Sequence, residues 1–124
     1  MGLETIILFA LMCKHAVADL AIQSFRVPSK KRLWLNRGLH LHAMDHAVLT
    51  FLVLLFFVNP WLALGFALID YVAHWHIDWS KTVFYTKFNW QGTEKRFWRL
   101  QSLDQMLHYA TAFLIVWHAH TYVL

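Results

Sequence analysis

Apolar residues fall into four long runs, over residues 3–23, 39–58, 61–79 and 99–123, and polar or turn-forming stretches separate them. A helix rising ~1.5 Å per residue needs ~20 such residues to cross a hydrocarbon core of ~30 Å, and each run approaches or exceeds that length. The pattern predicts an all-α fold: a single domain, 1–124, built as a four-helix transmembrane bundle that runs up-down-up-down. The first run lacks the basic start and small-residue cleavage site of a signal peptide and carries His15 and Asp19, so it reads as part of the mature protein.

The connections set the expected orientation. The stretch 25–38 holds Pro28, a helix stop, with Arg26, Lys30, Lys31, Arg32 and Arg37. The stretch 80–98 holds Lys81, Lys87, Lys95 and Arg96, and Arg99 follows it. The other end of the bundle offers the Asn59-Pro60 turn, the termini and Glu4, without Lys or Arg. The positive-inside rule therefore makes both basic loops cytoplasmic and puts both termini outside, as in a multi-pass protein of a bacterial inner membrane. Trp34, Trp79, Tyr85, Trp90 and Trp98 lie near that cytoplasmic boundary, where amphipathic rings anchor.

Polar residues interrupt the runs at regular intervals. His15, Asp19 and Gln23 are spaced four apart in the first run, and His42 and His46 in the second. Asp70, His74 and Asp78 repeat that spacing in the third run, with Lys81 returning to their face, and Asp104 and His108 do so in the fourth. Residues four apart share a helix face. Alternating helix directions bring all four sets to the cytoplasmic end. A charged side chain at mid-bilayer costs ~2.5–3.5 kcal/mol on insertion scales, so each needs a partner, water or an ion. His40 and His76 point away from the cluster, His118 and His120 belong to the outer end, and Lys14 is expected to snorkel or to pair with Asp45 or a substrate phosphate.

Composition sharpens this picture. The chain is 59% apolar and 15% charged, which disfavours an ordinary soluble domain. Its net charge of +4 comes from basic residues grouped beside the apolar runs, a distribution suited to anionic lipid head groups and not to nucleic acid. One cysteine, Cys13, excludes an intrachain disulfide and Cys-pair zinc ribbons. A metal site would draw on His15, Asp19, His42, His46, His74, Asp78, Asp104 and His108. Mixed imidazole and carboxylate donors suit zinc first, with manganese and iron as alternatives. One tetrahedral ion needs at most four of them, so either two metals bind or several residues orient the others.

The succession H-x3-D-x3-Q (His15, Asp19, Gln23), H-x3-H (His42, His46), H-x3-D-x2-K (His74, Asp78, Lys81) and D-Q-x2-H (Asp104, Gln105, His108) resembles a family of small bacterial and phage membrane proteins of unknown function. It is more loosely similar to inner-membrane metal-dependent hydrolases. The closer resemblance implies no substrate, and Asp45, Asp70 and His76 stand around the shared pattern.

These features lead to the expectation of a membrane-embedded metal-dependent hydrolase acting on a phosphorylated lipid or amphiphile at the cytoplasmic leaflet. Asp70 or Asp19 would accept a proton from water, and Lys81 and Arg37 would steer the anionic head group. Three rival classes remain: a di-iron membrane oxygenase, an ion transporter, and a non-enzymatic membrane protein with a structural His/Asp cluster. Nearly apolar outer helix halves argue against the transporter. The small interior points toward a homo-oligomer, with Trp75, His76 and the Phe56-Phe57 pair as outward-facing surface.

Overall fold

The computed structural model describes residues 2–22 and 36–123, which are helical nearly throughout and contain no strand. Helix α1, Leu3–Ala16, passes directly into a π-helical turn, Val17–Ile22. Helix α2 spans Arg37–Leu54, α3 spans Pro60–Phe88, and α4 spans Lys95–Ala119 before a short 3-10 turn, His120–Tyr122. Gln23, Trp34 and the first basic loop, from Arg26 to Arg32, lie outside the described residues.

Local chemistry sets the helix ends. Asn36 caps α2, its Oδ1 accepting from the Leu39 amide at 3.2 Å. Asn59 caps α3 in the same way through the Leu62 amide at 3.0 Å, and Pro60 occupies the first turn, where its missing N–H costs nothing. Replacing Asn59 by Ala should cost about 1 kcal/mol, read as a lower unfolding temperature in detergent. Helix α3 runs nine residues beyond the expected end at Trp79, because residues 80–88 contain neither Gly nor Pro. It ends at Asn89, whose φ of 49° is the left-handed geometry that asparagine tolerates at a helix terminus. The expected loop 80–98 is thus reduced to the short connection between Phe88 and Lys95.

Each helix buries one stripe that is apolar at one end of the bundle and polar at the other. In α3 the stripe is Ala63, Ala67, Asp70, His74 and Asp78; in α2 it is Leu39, His42, His46, Thr50 and Leu54. Ile7 and Leu11 of α1, Leu54, Val58, Ala63, and Ile115, Val116 and Ala119 of α4 make one apolar core around the Asn59-Pro60 end. The polar halves meet at the opposite end. The outer faces are the reverse: Phe9, Leu20, Leu68, Phe113 and Leu114 are exposed while Lys14, Asp70, Asp78 and Asp104 are buried. Among the described residues, one helical stretch, Leu3–Ile22, is long and apolar enough by itself to cross a membrane. Asp70, Asp78 and Lys81 interrupt α3, and Lys95, Arg96, Arg99 and Asp104 crowd the first turns of α4.

Candidate metal centre

The polar stripes of all four helices converge. His15 is the last turn of α1, and Asp19 follows within the π-helical turn, a rare geometry that recurs at functional sites because it resets the direction of the side chains it carries. His42 and His46 come from α2, His74, Asp78 and Lys81 from α3, and Asp104 and His108 from α4. The imidazoles form one packed group. His46 and His74 stack at 3.6 Å between centroids, His74 and His108 at 4.0 Å, and His15 lies 4.8 to 5.6 Å from these three rings.

All five rings turn Nε2 toward two carboxylates. Asp19 Oδ1 lies 2.9 Å from His46 Nε2 and 3.1 Å from His42 Nε2, and its Oδ2 lies 3.0 Å from His15 Nε2. Asp78 Oδ2 lies 3.2 Å from His74 Nε2 and 3.5 Å from His42 Nε2, while its Oδ1 lies 3.1 Å from His108 Nε2. His15 Nε2 and His74 Nε2 are buried and make no hydrogen bond of acceptable angle despite these short separations. Donor atoms around one tetrahedral ion, bound at ~2.0–2.1 Å, lie about 3.3 Å apart, the same range. Among the described residues, two groups are compact enough to hold an ion: Asp19, His42, His46 and His74, and His74, Asp78 and His108. His74 belongs to both, but its Nε2 has one lone pair and serves one ion at a time.

The remaining expected residues have other surroundings. Asp104 lies outside both groups, 3.0 Å from Lys81 Nζ and 3.5 Å from His108 Nε2, so it orients a cation and an imidazole. Lys81 bridges Asp104 and Asp78, the latter at 3.6 Å. Lys81 lies just past the 61–79 run; burial opposes its charge, but the carboxylates of Asp78 and Asp104 outweigh that and hold the ammonium above its ordinary value. Asp70, a candidate proton acceptor, is occupied: Lys14 Nζ lies 2.6 Å from its Oδ2, and the Thr50 hydroxyl donates to the same oxygen at 2.5 Å. Lys14 neither snorkels nor pairs with Asp45, because its direction from α1 leads into the bundle beside Asp70. His40 packs on Trp75 and meets the Tyr71 hydroxyl at 2.6 Å, away from the cluster. His76, His118 and His120 are exposed, each with Nδ1 against the backbone carbonyl three or four residues before it, those of Val72, Leu114 and Trp117.

A cavity of about 380 Å³ adjoins the cluster. His15, Asp19, His42, Asp78 and Lys81 line its polar side, and Met12 and Leu20 are among its apolar walls. Thr50 is the participant that sequence reasoning left out. It lies four residues beyond His46 on the stripe that starts at His42, and this spacing was the signal available.

Fold and site together define a small all-helical bundle with a histidine-aspartate cluster buried at one end. The chain belongs to the family described as Protein of unknown function (DUF3307), whose model matches residues 7–124 and so covers every residue of the cluster. No curated protein and no solved structure matches it.

Proposed function

We propose that this protein is a membrane-embedded, metal-dependent hydrolase. The observation that carries the metal is the convergence of five buried Nε2 atoms on Asp19 and Asp78 at ligand-to-ligand spacing, with His15 and His74 lacking hydrogen bonds there. Charge supports it. With neutral imidazoles, and counting the described residues alone, the carboxylates of Asp19, Asp78 and Asp104 face the ammonium of Lys81, which leaves two negative charges in a largely buried site. A divalent cation offsets them, and an uncompensated buried charge is costly. Zinc is the first choice for this donor set, with manganese and iron as alternatives.

A four-span arrangement in a bacterial inner membrane is supported by the inverted distribution of polarity, apolar outside and charged within, which water would oppose and lipid favours. The cavity beside the cluster, mostly polar in its lining and carrying Lys81, with Met12, Ala16 and Leu20 as its apolar part, suits a phosphorylated amphiphile. A bound metal would lower the pKa of water and polarise a phosphoryl oxygen. Of the two carboxylates considered as proton acceptors, Asp19 reaches the cavity, whereas Asp70 is held by Lys14 and Thr50.

Elemental analysis of detergent-purified protein tests the reading. One or two equivalents of zinc or manganese are expected in the wild type, with a loss in folded His74→Ala and a smaller loss in Asp104→Ala. Hydrolysis of phosphorylated lipids is then expected to depend on that metal. Iron with an oxygen-dependent product would replace the hydrolase by an oxygenase. A folded wild type that takes up no metal would overturn the proposal in favour of a structural polar core.

A further inference from the structure

His46 has surroundings unlike those of the other four histidines. Its Nδ1 lies 3.4 Å from Lys14 Nζ, and the same ammonium donates to the His46 backbone carbonyl at 3.3 Å and to Asp70 Oδ2 at 2.6 Å. Asp70 is fixed in turn by the Thr50 hydroxyl, so the ammonium is anchored from α2 and α3. An ammonium has three donors and no acceptor. An imidazole nitrogen facing it must offer a lone pair and not a proton. A neutral ring then carries its proton on Nε2, and that nitrogen forms a hydrogen bond of good geometry with Asp19 Oδ1 at 2.9 Å. A protonated Nε2 has no lone pair left for a metal.

We propose that His46 is not a metal ligand but a positioning residue. It is locked by Lys14 as the Nε2–H tautomer and holds Asp19 for the ion. This rests on the metal reading above and changes its ligand set. The group Asp19, His42, His46 and His74 loses its second α2 imidazole. Asp19, His42 and His74 remain, and His15 Nε2, 3.0 Å from the other Asp19 oxygen, stands next to them. A histidine ligand ordinarily donates its remote N–H to a carboxylate or carbonyl. His46 cannot do so, because its remote nitrogen meets a cation. The chain from Thr50 through Asp70, Lys14 and His46 to Asp19 is an outer support built from three helices. It also accounts for an ion pair buried beside the cluster that the proposed reaction does not use.

The test reads the His46 ring directly, by proton-nitrogen correlation of histidine-labelled protein before and after zinc is added, with His46→Gln identifying its signals. The neutral Nε2–H pattern is expected in both states. Zinc binding to His46→Gln should stay within a few-fold of wild type, because the glutamine amide replaces the Nε2–H donor. His46→Leu should weaken binding about 10–100-fold without changing the stoichiometry. In a protein that binds zinc, an Nδ1–H pattern, a zinc-shifted Nε2, or the loss of an equivalent in His46→Gln would overturn the His46 assignment alone. A folded wild type that binds neither zinc nor manganese nor iron would overturn the metal reading itself and this role with it. The tautomer seen without metal would then still report which hydrogen bond His46 makes.

Discussion

Lys14→Met is expected to destabilise the protein by about 3–5 kcal/mol, the usual cost of removing one member of a buried ion pair. Lys14 and Asp70 side chains are 8% and 10% exposed, and among the described residues Asp70 Oδ2 would keep the Thr50 hydroxyl alone as a donor. The double variant Lys14→Met/Asp70→Leu should recover most of the loss, since replacing both charges by apolar groups removes the desolvation cost of each. Thr50 would then be free to turn its hydroxyl to the His46 carbonyl one helical turn before it. Denaturant or thermal unfolding in detergent measures all three proteins. Equal stability of Lys14→Met and wild type would show that the pair does not hold α1 against α2 and α3.

The second large effect concerns Asp19. Asp19→Asn is expected to weaken metal binding by on the order of 10³-fold, beyond the loss typical of outer-shell partners. It should shift the stability of the metal-free protein by no more than about 1 kcal/mol, a value ordinary for one hydrogen-bonding group. The reasoning is geometric. Among the described residues Asp19 contacts three imidazoles and no Lys or Arg side chain, and its side chain is 24% exposed, so a neutral amide of the same shape keeps most of these surroundings. Metal titration and unfolding of the metal-free protein separate the two effects. A purely structural cluster would give the opposite outcome, lost stability with no metal affinity to lose. This contrast is sharper at Asp19 than at Asp78, which also holds Lys81.

The helical content and the grouping of the polar residues were legible in the sequence because both follow from local periodicity. A spacing of four residues places His42 with His46, His74 with Asp78 and Asp104 with His108 on common faces whatever the helices pack against. Alternation of helix direction then carries these faces to one end. The overrun of α3 was less legible. Residues 80–88 read as a loop from their charge, yet nothing in them breaks a helix, and Tyr85 packs on Phe97 and donates to Gln101 to hold that extension against α4. The π-helical turn that carries Asp19 has no sequence signature in this chain.

Tertiary structure alone decided the partners. Lys14 stands next to His15 in sequence, about 100° around the helix, and that angle states only that the two diverge. It does not say that Lys14 enters the bundle on the side of Asp70 while His15 meets Asp19. The sequence placed Asp70 and Asp19 together as interchangeable carboxylates. Packing of α1 against α2 and α4, with the Lys14 side chain reaching across to α3, separates them, by giving one an ammonium and a hydroxyl and the other three imidazoles and a cavity wall. The sequence determined which residue types share a face and a depth, because backbone geometry is local. Which nitrogen faces which charge depends on how the faces rotate against one another, and only the assembled bundle sets that.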